Sequence, residues 1–301
     1  MIPKEAPVTK KRPEMTRGVD SIARRGVVAL VLSVVGRGIR SATSPAVAAL
    51  MVLGVLVGCA PAPDIPQPRK IVDLSPVLTP DLNVRRLGIR ALEFLATDGR
   101  IRTASVVPQQ ARMAFGLDEL QMMSHTGAYL DAPARLLRGG EPPARISLDK
   151  VYGSAHMIDL RWHNRHSAIQ ITDLELNPPK AGDIAILIIG YEPPAAEEWP
   201  RYAPLSEQAA LWLVAKGIKA IATDMPFLSR LDEVSDRMAK GQPPEVVWAE
   251  YLPFFQNQIP VIAGLSRLDA IAKEPNVVFL GFPLALATGN GAPMRAAALV
   301  Y

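Results

Sequence analysis

A single cysteine among 301 residues excludes an intramolecular disulfide. Charge of one sign is scarce as well. The 33 Lys and Arg against 29 Asp and Glu leave a net charge of only +4. Much of the basic surplus lies near the amino terminus, so no nucleic-acid surface is expected. No internal repeat recurs, and Gly289-Asn290-Gly291 lacks the third glycine of a phosphate-binding fingerprint. An Asn-Gly turn into a final strand is the better reading of that segment. What the chain does have is material for a core. It is 49% apolar and 21% charged, as expected of a globular protein, and its length allows one large domain or two small ones.

The lone cysteine has a specific setting. Arg37 and Arg40 precede an apolar run from Ala46 to Val57, which ends Leu56-Val57-Gly58-Cys59. A basic flank, a short apolar core and small residues at the cut make a secretory signal. The alternative is a membrane span ending in a buried cysteine, but the run is too short to cross a bilayer comfortably. Leu-Val-Gly-Cys also resembles the bacterial lipobox, whose cysteine is lipidated and becomes the first mature residue. Cys59 is then the lipidation site, and the protein is anchored in the bacterial cell envelope, on the extracytoplasmic side of a membrane. A second apolar run, Gly26 to Gly36, follows Arg24-Arg25. It reads as a long leader with a loose likeness to twin-arginine signals, or as sequence upstream of the true start. Either way residues 1–58 are set aside from the fold. Residues 59–70 form a proline-rich tether, and residues 71–301 are expected to form one α/β domain.

Within that domain, apolar runs predict strands at 70–74, 102–107, 151–160, 168–174, 181–190, 218–223, 260–264 and 277–282. Helical spacing predicts helices at 84–95, 205–216 and 246–255. Ser206 is a candidate cap for the second, and Gly217 its stop. The continuous apolar run at 181–190 should be buried on both faces.

The chemistry gathers in Ser124 to Arg135. Gly127 and Pro133 argue against a helix there. In an extended chain His125, Tyr129, Asp131 and Arg135 share one face. His125 and Tyr129 would lie roughly 13 Å apart in a straight strand, so they converge only if the chain curls, which Gly127 permits. His125 and Asp131 are a candidate metal-ligand pair. The alternative is a hydrogen-bonded histidine at a strand end and an aspartate in a turn before Pro133. A second pair, His163 and His166, stands in a polar loop, where such pairs usually bind nothing specific.

The run resembles the signature His-x-Gly-Thr-His-x-Asp-x-Pro-x-His of the metal-dependent cyclase family, which includes bacterial kynurenine formamidases and isatin hydrolases. His125, Gly127, Asp131 and Pro133 match in register. Ala128, Tyr129 and Arg135 replace the threonine and the later histidines. Asp73-Leu74-Ser75, the strand after Gly182-Asp183, the segment from Leu205 to Pro226 and the Gly289-to-Ala296 close also resemble the family's, in consistent order. The resemblance implies a cyclase-like swivelling β/β/α domain and a homodimeric habit. It also implies a divalent metal, zinc or manganese, that activates water for attack on the amide or lactam carbonyl of a small molecule.

In this chain His125 and Asp131 remain as metal ligands, where catalytic zinc usually has three from the protein. Tyr129 could ligate as phenolate, at a cost set by its reference pKa near 10. Arg135 cannot act as a base. It could stabilise an oxyanion or bind a ligand carboxylate. Gln208 stands near the family's usual glutamate and could contact substrate or offer its carbonyl oxygen to a hard metal. Three readings stay open. One is an arylformamidase-like hydrolase of C–N bonds with Tyr129 and Arg135 in catalytic roles. The others are a metal-free small-molecule-binding lipoprotein and an enzyme of another reaction class on the same fold.

Overall fold

The computed structural model describes residues 66–78, 100–105, 116–192 and 201–301. The leader, Cys59, the tether through Ile65 and the helix expected at 84–95 lie outside the described residues. The described strands are β1 (Lys70–Asp73), β2 (Arg100–Ser105), β3 (Gly116–Gln121), β4 (Tyr129–Asp131), β5 (Tyr152–Asp159), β6 (Ile184–Ile188), β7 (Ala220–Thr223), β8 (Val261–Ala263), β9 (Val277–Pro283) and β10 (Gly291–Val300). Seven of them form a closed ring in the order β10-β4-β8-β7-β6-β5-β9, with β9 pairing back to β10. β5 to β8 run parallel and the other ring pairs are antiparallel. β10 spends one edge on β9 and divides the other between β4, at residues 291–293, and β1, at residues 297–300. β2 and β3 form a separate antiparallel pair.

Parallel neighbours need crossovers, and here these are helical. α1 (Ile171–Leu174) lies between β5 and β6, and α2 (Glu207–Ala215) between β6 and β7. α3 (Leu231–Ala239), α4 (Pro244–Val247) and α5 (Leu252–Gln256) fill the connection from β7 to β8. The strand period of two sorts side chains into two cores. Ile184, Ile186, Ile188, Ala222, Leu130 and Phe279 pack inside the ring. Ala185, Leu187, Ile221 and Val261 face outward against Leu213 of α2 and Phe254 and Phe255 of α5. Burying one such large side chain contributes about 1.5–3 kcal/mol. β6 is buried throughout because both of its faces are covered.

Two expected elements differ. Residues 168–174 do not extend as a strand. Only Ile169 makes a bridge, to Leu205, and α1 follows it. A capping box explains the switch, since the side chain of Asp173 accepts the Gln170 N–H at 2.7 Å and the Gln170 side chain reciprocates. The helix expected over 246–255 is two helices, α4 and α5. Pro253 has no N–H to continue a turn and crowds the carbonyl four residues earlier, so a helix can contain it only near its start. In α2 the Ser206 hydroxyl accepts the Ala209 N–H at 3.1 Å, and Gly217 follows with a φ of 74°. Both agree with the expected cap and stop.

Candidate functional site

The ends of several strands meet at one cavity of about 580 Å³. Its wall takes Arg161 from beyond β5, Gly190 from beyond β6, Asp224 and Pro226 from beyond β7, and Leu265 from beyond β8. These are the carboxyl ends of the four parallel strands, where open and closed α/β sheets commonly present ligand sites. β4 runs antiparallel to β8, so its amino-terminal end, with His125 and Tyr129, opens on the same cavity.

β4 explains how the motif is held. Leu130 points into the ring, so Tyr129 and Asp131 on either side of it face the helical layer. Asp131 is opposite Gly291 on one side and Val261 on the other. Gly127, at a φ of 73°, curls the preceding segment. The His125 ring therefore lies edge-on to Tyr129, with centroids 5.0 Å apart, and its Nε2 reaches 2.8 Å from Oδ1 of Asp131. On its other nitrogen, Nδ1 is 2.9 Å from the Ser124 hydroxyl. The Nε2 approach is close but not aligned as a hydrogen bond. Nε2 of His125 and Oδ2 of Asp131 are thus buried polar atoms without an aligned partner.

Arg135 follows Asp131 by one short turn, Pro133–Arg135, and its Nη1 donates to Asp131 Oδ1. Its guanidinium carbon lies 5.3 Å from the ring of Phe227, 5.2 Å from Trp248 and 5.7 Å from Tyr251. The side chain of Asp131 is 0% exposed and that of Arg135 14%. Burial by itself would raise the Asp131 carboxyl, but the Arg135 charge and its hydrogen bond, with the His125 ring beside them, hold it below the ordinary aspartate value. Burial likewise opposes the charge on Arg135, and Asp131 beside it more than compensates. The hydroxyl of Tyr129 donates to the Pro226 carbonyl. Burial, reinforced by the charge of Asp131, pushes that hydroxyl well above the usual tyrosine range.

His125, Tyr129, Asp131 and Arg135 are therefore brought together. Gln208 is not. It lies on the exposed side of the first turn of α2 and outside the cavity lining, because Ala209 and Ala210 take the buried face of that helix. His163 pairs with Asp173 at 3.2 Å, apart from the cavity lining, and His166 is exposed. Sequence reasoning missed Asp224, a cavity residue whose carboxylate accepts three main-chain N–H groups. Its place directly after an apolar strand was the available signal. It also missed the rings around Arg135, for which no local signal exists.

These residues do not fit a catalytic divalent metal. Among the described residues no group of three or more His, Cys, Asp or Glu is placed to hold one. The two unpartnered atoms supply at most two donors, where catalytic zinc usually takes three from the protein. Tyr129 keeps its proton for Pro226, and Arg135 occupies Asp131. A dication sharing that carboxylate would meet the guanidinium at close range. Such charges on the order of 5 Å apart repel by several kcal/mol even at an effective dielectric of about 20. The donor shortage and the bound cation outweigh the two free atoms.

Known proteins agree on the family. The curated kynurenine formamidase of Bacillus cereus is 26% identical over 179 residues, covering 59% of this chain and 77% of its own length. An isatin hydrolase bound to the product analogue thioisatinate superposes with a TM-score of 0.59 at 17% identity, covering 85% of this chain and 99% of that one. Isatin hydrolase A from Labrenzia aggregata gives 0.57 at 17% identity, over 83% and 98%. A structure described as a potential metal-dependent hydrolase with cyclase activity gives 0.55 at 19% identity, over 76% and 96%. These likenesses show the fold, a mixed α/β domain with a seven-stranded closed barrel. The profile of the Cyclase family, described as "Putative cyclase", matches residues 72–229. With more than half of its length matched, and the His125-to-Pro133 motif inside the match, the chain belongs to the Cyclase family.

Proposed function

We propose that this protein is a small-molecule-binding member of the Cyclase family that works without a divalent metal. We further propose that it is anchored by a lipid on Cys59 at the extracytoplasmic side of a bacterial membrane and that it forms a homodimer. The observation that carries the binding reading is the cavity, which opens at the strand ends beside the His125-to-Pro133 motif while the donor set beneath it falls short of a metal site. Its wall combines apolar groups such as Ile188, Phe227 and Leu265 with polar and charged ones, His125, Arg161, Asp224 and Arg267 among them. That mixture suits a small organic ligand oriented by polar contacts at its rim. Arg135 faces Asp131 and three rings and is not among the cavity-lining residues, so a ligand carboxylate would meet Arg161 or Arg267 instead.

A second reading is hydrolysis of amide- or lactam-like compounds, in the manner named for the kynurenine formamidase and isatin hydrolase relatives. Nε2 of His125 and Oδ2 of Asp131, buried without an aligned hydrogen bond, favour it. Calorimetric titration with isatin and thioisatinate, beside a turnover assay with added Zn²⁺ or Mn²⁺, separates the two. Binding without turnover, abolished by Leu265→Trp, supports the first reading. Metal-stimulated turnover lost in His125→Ala establishes the second, and no binding of any aromatic lactam or amide overturns both.

A further inference from the structure

Asp131 is fully buried and negatively charged, and a buried charge needs a counter-charge. In this chain the counter-charge is built in. We propose that the Arg135 guanidinium is a resident cation that does at Asp131 the electrostatic work a metal ion would do, and that the site beneath it is a latent cation site closed by Arg135. The inference rests on the metal-free reading above and says what has taken the metal's place.

Three features hold the guanidinium where it is. The short turn Pro133–Arg135 carries residue 135 back over residue 131, so the pair forms within one segment. Phe227, Trp248 and Tyr251 then surround the cation on their ring faces at 5.2–5.7 Å, which favours a weakly hydrated guanidinium over an ammonium. Finally, both Arg135 and His125 converge on one oxygen, Oδ1, while Oδ2 has no partner although it is buried. Oδ2 is left open beside the ring-held cation, and the His125 nitrogen, 2.8 Å from Oδ1, has no aligned hydrogen bond to give up. Tyr129 is next but one to Asp131 on the same face of β4, and its ring is 5.0 Å from that of His125. An imidazole at position 129 would therefore add a third donor on the same side.

The test is thermal melting with and without Zn²⁺ or Mn²⁺, together with elemental analysis of protein purified without chelator. The wild type should retain less than about a tenth of an equivalent of metal, and its melting temperature should not move on adding either ion. Arg135→Gln should melt lower and recover part of the loss when Zn²⁺ is added, because an external cation then meets Asp131. Arg135→Lys should restore less than half of the wild-type margin, since a strongly hydrated ammonium fits the three rings less well than a guanidinium. Tyr129→His with Arg135→Gln should bind Zn²⁺ at least about 100-fold more tightly than the wild type, near one equivalent. About one equivalent of metal in the wild type, removed by chelator with a fall in melting temperature, overturns the proposal. So does a folded Arg135→Gln that Zn²⁺ leaves unchanged. Should that variant fail to fold, the wild-type metal content decides. These outcomes do not depend on whether isatin binds, so the ligand reading stands or falls separately.

Discussion

Asp224 holds the chain at Gly190. Its carboxylate accepts the main-chain N–H of Gly190 at 2.7 Å, flanked by those of Ile189 at 3.0 Å and Tyr191 at 3.1 Å. The carboxyl ends of β6 and β7 are thereby tied together as one wall of the cavity. In Asp224→Asn an amide NH₂ replaces one acceptor and leaves at least one N–H unmet. We expect a loss of about 1–3 kcal/mol in urea unfolding. The loss should depend on pH. Burial raises the Asp224 carboxyl above its ordinary value of 3.8, against the lowering effect of the three N–H groups. The folded state then binds the proton more tightly than the unfolded chain. This contribution is complete below 3.8 and is lost as pH rises through the folded value. The gap between wild type and Asp224→Asn should therefore narrow as pH is raised from about 3.5 to about 6, and a gap that stays constant or widens would contradict a raised Asp224 carboxyl.

Tyr129→Phe should cost about 1–3 kcal/mol, because it leaves the Pro226 carbonyl without its donor in a buried setting. The phenyl ring still packs edge-on to His125 and beside Phe227. Denaturant midpoints measure the loss, and the unfolding slope should stay the same, since neither the fold nor the surface exposed on unfolding changes.

Gly291→Ala tests the back of the site. A Cβ there would lie 2.5 Å from the Leu130 carbonyl oxygen and 3.0 Å from Nε2 of His125. The carbonyl belongs to the β4 ladder and cannot yield as a flexible side chain would. The expected cost is about 1–3 kcal/mol, with displaced His125 ring signals in NMR spectra. Unshifted His125 signals in a stable variant would mean that β10 does not seal the pair.

Cys59→Ala should move the protein from the membrane fraction to the soluble one. The expectation comes from Leu56-Val57-Gly58-Cys59 after a basic flank and an apolar core. Retention of the variant on membranes through salt and carbonate washes would overturn the lipid anchor.

Much of the domain is readable where one local rule acts alone. The continuous apolar run of β6, the Ser206 cap and the Gly217 stop depend on neighbours a few residues away, and the structure shows each. His125 and Asp131 were legible as a pair because six residues and one left-handed glycine suffice to join them. Arg135 was legible as a permanent charge but not as a satisfied one. Its rings come from Phe227, Trp248 and Tyr251, far along the chain, and only the packing of the connection between β7 and β8 against β4 brings them there. Gln208 misled for a related reason. Position within a helix says nothing about which face meets the cavity until the apolar face, here Ala209 and Ala210, has been placed. At 168–174 the apolar residues suit a strand, and a side-chain bond between Gln170 and Asp173 decides otherwise.

The division of β10 between three partners has a consequence in time. Of the described strands, β10 is the last to be synthesised, and β9, β4 and β1 all wait for it. A nascent chain carries the His125–Asp131 motif for most of its growth with one edge of β4 bare and with no Gly291 behind it. Neither the ring nor the site can be completed on the ribosome before residues 291–300 emerge. Such long-range closure is slow, and unpaired strand edges attract other chains while they wait. Half-made copies should therefore depend on holding chaperones, and a stop codon that removes β10 should yield an aggregating chain rather than a smaller working one.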